Sequence, residues 1–164
     1  MAQEEIYQAT KKVFALYGAF YNLVAHQIGS EKALYLHAKA HEQLGVAAGK
    51  MLKDKFGKDT SDLQSLGDIL RESNLSIGIA SETSERNPTS IVFRNRQCPL
   101  YDGYRLGGLD SKTAETLCHW GAPAKLGSTL AYLNPGIHYH LRHYRSNPEE
   151  PCEEVIQLRD KGGK

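Results

Sequence analysis

A change of hydrophobic period partway along the chain limits the fold more than any other feature. In residues 3–27, Ile6, Ala9, Val13, Leu16, Tyr17, Phe20, Leu23 and Val24 recur every three or four positions, the spacing of one helix face. "IGS" at 28–30 breaks this pattern, with Ser30 placed to cap a second helix that runs to about Phe56. After the loop "FGKDTS", Ser61 and Gln64 have capping-box spacing before a third helix carrying Leu63, Leu66, Ile69 and Leu70. From Leu75 the period becomes two. Leu75, Ile77 and Ile79 alternate with small residues, "SETSERNPTS" reads as a polar connection, and "IVFRNRQ" as the returning strand of a hairpin over 75–96. A helical turn starts at Pro99. Asp110 or Ser111 caps a further helix with Leu117, Cys118 and Trp120, which "GAP" at 121–123 interrupts before it resumes to Leu133. "IHYHLRHYR" at 137–145 and "VIQLR" form a second hairpin across "SNPEEPCE".

This order predicts an α+β fold. N-terminal helices pack on a four-stranded antiparallel sheet made of two hairpins, with helices between them, as one domain over 1–164. The sheet's outer face calls for a cover, so a homodimer is expected. Net charge is +1 and no Lys/Arg block stands out, which argues against a nucleic-acid partner. No apolar run approaches the roughly 18–20 residues of a membrane span, and the acidic, amphipathic "MAQEEIYQATKK" does not read as a secretory leader. Three cysteines without a regular framework suit reduced thiols and a cytoplasmic chain.

Three stretches carry candidate chemistry. In "HAKAHE", His37 and His41 lie one helical turn apart beside an apolar stripe of Leu36, Ala40, Leu44, Ala47 and Met51. Both imidazoles therefore face the interior, as a pair for a metal ion or haem or as two core histidines bonded to carbonyls or hydroxyls. In "RNRQCPLY", Pro99 suits a first helical turn, so Cys98 falls at the N-cap. There the helix dipole, Arg94 and Arg96 favour a nucleophilic thiolate; a buried strand-end thiol is the alternative. In "IHYHLRHYR", alternation puts His138, His140, Arg142 and Tyr144 on one face and Ile137, Tyr139, Leu141 and His143 on the core face. The first set is either a solvated surface or the lining of an anion pocket. Cys118 reads as core. No GxGxxG, P-loop, GxSxG or CxxC is present.

With "NRQCPLY", "ETLCHWG", "LNPGI" and "PCEEVIQL" in this order, the whole chain resembles the L-2-amino-thiazoline-4-carboxylic acid hydrolase-like family. That family is related to the vinyl-reductase-type and the haem-NO-binding and Golgi-transport ligand-binding domains. The resemblance implies helices on a four-stranded sheet around an apolar cavity, often in a dimer. It also implies a small-molecule hydrolase that opens a cyclic C=N ring bearing a carboxylate. Carried onto this chain, Cys98 is the nucleophile and His37, His41 or His140 the base. Arg94, Arg142 and Tyr101 hold the substrate. The alternative from another class is a small-ligand or haem sensor without turnover, with His37 or His41 as axial ligand. A third is an interaction module whose cavity holds an acyl chain.

Overall fold

The computed structural model of the chain describes residues 2–57, 62–145 and 147–159. Five helices and four strands follow one another as α1 (Ala2–Ile28), α2 (Ser30–Phe56), α3 (Leu63–Ser76), β1 (Ala80–Arg86), β2 (Ser90–Gln97), α4 (Pro99–Leu106), α5 (Ser111–Leu133), β3 (Ile137–His143) and β4 (Cys152–Leu158). The sheet is antiparallel in the order β1-β2-β4-β3, so the two hairpins meet where β2 pairs with β4. The α+β architecture expected from the change of period is the one observed.

Sheet alternation sorts the side chains. Ile91 and Phe93 from β2, Ile137 and Tyr139 from β3 and Ile156 from β4 face the helices, and there they join Leu66, Ile69, Leu70, Leu130 and Leu133 in the main core. A second cluster, Tyr21, Ala33, Tyr104, Leu109, Ala114 and Leu117, ties α1, α2, α4 and α5 together. Helices α2 and α5 cross closely because Gly45 and Gly49 leave room for the backbone and side chains of Lys125, Ser128, Thr129 and Tyr132. The Thr129 hydroxyl donates to the Gly45 carbonyl across this crossing, at 3.0 Å.

Several local expectations are corrected. Residues 75–79 are not a strand: α3 runs to Ser76 and β1 starts at Ala80. "SETSER" is the edge strand itself, exposed apart from Ser81, and held by backbone pairing rather than by an apolar face. Its charges find partners in Glu82–Arg96, Glu85–Arg142 and Arg86–Asp68. Helix α2 is capped by Gly29, and Ser30 is its first residue. For α3 the cap is Asp62, whose carboxylate accepts from the Gln64 and Ser65 amides; Ser61 lies outside the described residues. "GAP" does not interrupt α5, which continues through Pro123. Packing on both sides of the helix outweighs the one backbone bond that Pro123 removes.

The largest correction concerns which helix faces are buried. Helix α1 buries Tyr7, Gly18 and Tyr21, and α2 buries Ala33, His37, Gly45, Gly49 and Leu52. The apolar stripes that define the helical period, Val13, Leu16, Phe20 and Leu23 on α1 and Leu36, Leu44 and Met51 on α2, are exposed.

The close crossing gives a paired test by thermal and urea denaturation. A Cβ at Gly45 would strike the Lys125 carbonyl, so Gly45→Ala lowers stability by about 1–3 kcal/mol. A Cβ at Gly127, also within α5, meets nothing, so Gly127→Ala raises stability by up to about 1 kcal/mol.

Candidate functional site

A cavity of about 280 Å³ lies between α1, α2, α4 and α5, over the inner face of the sheet. This is near the lower end of volumes typical for small-ligand sites, roughly 300–1,000 Å³. Its walls are mostly apolar, with Phe14, Ile77, Ile79, Leu100, Leu117 and Leu126 prominent. Val13 of α1 and Leu44 of α2 stand at its mouth, each on one of the exposed stripes. Into this apolar space come His41, Tyr17, Lys125, Glu154, Asn74 and Cys118.

The two histidines of α2 have different roles. His37 is buried, and both its ring nitrogens are used: Nδ1 accepts from the Tyr17 hydroxyl at 2.7 Å, and Nε2–H donates to the Leu117 carbonyl at 2.9 Å. A carbonyl only accepts, which puts a proton on Nε2 and, in the neutral ring, leaves Nδ1 as the acceptor. Burial, together with the neighbouring His41, pushes the His37 pKa down to about 4. His37 is therefore a tie between α1, α2 and α5, and the expected His37/His41 metal pair is not available. Among the described residues there is no group of three or more His, Cys, Asp or Glu side chains arranged to hold a metal ion.

His41 lines the cavity one turn on, with ring centroids 4.1 Å apart. Its Nδ1–H donates to the His37 carbonyl at 3.0 Å, and this leaves Nε2 with a lone pair and no hydrogen bond among the described residues. Burial lowers the His41 pKa, which keeps the ring a neutral base or a single axial ligand. Gly121 of α5 makes room for the pair: a Cβ there would press on His37 Nε2 and on His41 Cδ2.

Lys125 and Glu154 were not legible as site residues. Lys125 follows Leu117 and Gly121 by eight and four positions, so an ammonium group rides on the inward flank of α5. Burial lowers its pKa, and it makes no hydrogen bond or ion pair among the described residues. Glu154 lies on the inner face of β4, across from Phe93 and Leu141. Burial raises its pKa, against the opposing pull of Asn95, Tyr139, Asn74 and the Lys125 charge. Asn74 donates to Ser81 at 3.0 Å and Ser81 donates to Asn95, a polar chain beneath the acid. The available signals were an acid two residues from Cys152 and Ile156 on one strand face, and a lysine in phase with Leu117.

The remaining expected site residues lie elsewhere. Cys98 is the N-cap of α4 with Pro99 following, as expected, but its sulfur makes no cap hydrogen bond. Burial pushes its thiol up to about 12, against the backbone N–H groups of Tyr101 and Leu100, so it is held as a thiol rather than a thiolate. It packs beside Tyr101, Tyr144 and Cys152, behind the cavity wall; all three cysteines are free. Tyr101 is buried in that cluster, with the Arg145 guanidinium 5.3 Å from its ring centre. Arg94 and Arg142 are on the outer sheet face, both bound to Glu153 at 2.8 and 2.9 Å, with Arg142 also bound to Glu85. His140 is on the same face, stacked with His138. A bulge between Leu141 and His143 ends the alternation, which leaves His143 exposed and turns Tyr144 into the core. Of the expected residues, His41 alone lines the cavity.

Set against protein-family models, curated proteins and solved structures, the chain matches none. The fold and the site define an α+β chain with a small, helix-roofed apolar cavity holding a histidine, a lysine and an acid. Among the described residues, no helix is long and apolar enough to cross a membrane.

The depressed histidine pKa values make stability pH-dependent. His37 folds neutral, so the unfolded chain binds more protons between about pH 4 and 6.5. Its contribution is complete above 6.5 and is lost as pH falls towards 4, on the order of 3 kcal/mol at the acid end. His41 acts in the same direction. Urea unfolding at a series of pH values checks this, and Tyr17→Phe, which strands Nδ1 of His37, costs about 1–3 kcal/mol near neutrality.

Proposed function

We propose that the chain binds a small, mainly apolar molecule carrying one carboxylate, with its apolar body in the cavity and its carboxylate on Lys125. The observation that carries this reading is a lysine ammonium inside an apolar cavity with no hydrogen bond or ion pair among the described residues, its acidic neighbour there, Glu154, being pushed towards its neutral form by burial. A buried cation without a counterion is costly, and an incoming anion offsets that cost. Asn74 lines the same space and offers a further polar contact.

A second reading adds turnover in the same place: hydrolysis of a cyclic C=N ring, as the family resemblance implies. Its support is that His41 and Glu154 line the same cavity, where burial favours the neutral imidazole and the protonated acid, the forms in which one can accept a proton and the other give one. Water's oxygen bonds the C=N carbon as its proton goes to Nε2 of His41 and the C=N π pair takes the proton of Glu154 at the ring nitrogen; collapse of the tetrahedral carbon to C=O then breaks its bond to the other ring heteroatom, which leaves with the proton from His41, while the hydroxyl proton returns to Glu154. In this version the nucleophile is water, and Cys98, His140, Arg94 and Arg142 take no part.

Isothermal titration with octanoate and octanol tests the binding reading. Octanoate binds the wild type more tightly than octanol, and Lys125→Met weakens octanoate by about 10–100-fold while leaving octanol unchanged. Equal loss for both probes overturns the carboxylate assignment, and no binding of either overturns the ligand cavity. For the hydrolytic reading, turnover of a thiazoline carboxylate persists in Cys98→Ala and falls by about 10²–10⁴-fold in His41→Gln. The reverse pattern contradicts it.

A further inference from the structure

An amine and a thiol line the cavity, Lys125 and Cys118. Burial holds Cys118 as a thiol, its unreactive form. For Lys125 the same burial has the opposite consequence, because it favours the free amine, which is the nucleophile. The backbone at this point is fixed. The Lys125 carbonyl accepts from the Thr129 hydroxyl at 2.8 Å and abuts Gly45 of α2, where a Cβ would strike it. The amine is thus carried from a rigid point into a space that also holds His41 and Glu154. His41 has its Nε2 lone pair without a hydrogen bond among the described residues, and burial pushes Glu154 towards its protonated form. An amine, a base and an acid therefore line one apolar space. Val13 and Leu44, exposed at its mouth, give an apolar way in.

We propose that Lys125 forms an imine with an aldehyde or ketone of mainly apolar body, so that the cavity takes carbonyl compounds covalently and reversibly. The Lys125 nitrogen bonds the carbonyl carbon while the C=O π pair takes the Glu154 proton at oxygen, and the surplus proton on nitrogen goes to Nε2 of His41. The nitrogen lone pair then forms C=N as the hydroxyl leaves with the His41 proton, as water. The Glu154 carboxylate recovers the proton that remains on nitrogen, so both groups return to their starting forms. The inference rests on the cavity admitting an apolar ligand and not on the carboxylate assignment: the ammonium form of Lys125 pairs with a carboxylate, and the free amine attacks a carbonyl.

Octanal tests this on the full chain near neutral pH, with sodium cyanoborohydride to reduce an imine to a stable secondary amine. Peptide mapping by mass spectrometry finds the octyl adduct on Lys125 about ten-fold or more ahead of Lys50 and Lys112, which are exposed. Saturating octanol slows the Lys125 adduct and leaves the other two unchanged. His41→Gln, with an unchanged far-ultraviolet spectrum, slows the Lys125 adduct by about ten-fold or more and again leaves the other two unchanged. A Lys125 adduct no faster than those on Lys50 and Lys112 overturns the proposal, and so does a Lys125 rate that octanol does not touch. An unchanged rate in His41→Gln overturns the base role. The two readings fail separately. Octanol binding with no preferred Lys125 adduct overturns the imine and upholds the cavity, whereas a preferred Lys125 adduct with octanoate bound no better than octanol upholds the imine and overturns the carboxylate assignment.

Discussion

The buried imidazole of His37 is the interaction on which the rest of the structure depends. It receives a hydrogen bond from Tyr17 of α1 and gives one to the Leu117 carbonyl of α5, while belonging to α2. Three helices are thereby fixed at one point, with Gly121 leaving space for the ring. The Tyr17 bond does not survive protonation, because the charged ring loses its Nδ1 acceptor site, and burial disfavours the charge even though the Leu117 carbonyl favours it. The same tie sets the roof of the cavity, since His41 sits one turn further and borrows the His37 carbonyl to orient its own ring.

The cavity chemistry follows from desolvation. Apolar walls push lysine and histidine towards their neutral forms and the acid towards its protonated form, and here all three effects occur in one small space. Such groups are costly to bury without partners, and a ligand with an apolar body and one carboxylate meets both demands.

Period and punctuation carried most of the fold. The helical spacing to Leu70, the alternating "IVFRNRQ" and "IHYHLRH" and the helix start at Pro99 all mark elements close to where they lie. Alternation over Leu75–Ile79 misled because the last turn of α3 also spaces apolar residues, while the true edge strand, "SETSER", is exposed and shows no apolar period. The site was legible only in part. His41 was visible because the arc beside the α2 stripe faces inward, but the stripe was itself read as core. Periodicity reports an apolar face without saying whether the chain's own core or another copy covers it. The Cys98 position was right and its ionisation was not, because a cap position says nothing of burial, and burial outweighs the helix dipole there. Arg142 and His140 were in phase with a polar face that belongs to the outside of the sheet, and the bulge that turns Tyr144 inward has no sequence signature in "LRHYR".

The account is tested most directly by the nitrogen chemical shifts of the imidazole rings in ¹⁵N-labelled protein near neutral pH. It predicts that His37 is the neutral Nε2–H form and His41 the neutral Nδ1–H form, and that adding octanoate moves the His41 nitrogens while leaving those of His37 in place. Both rings averaging between tautomers, or His37 responding to the ligand as strongly as His41, would contradict it.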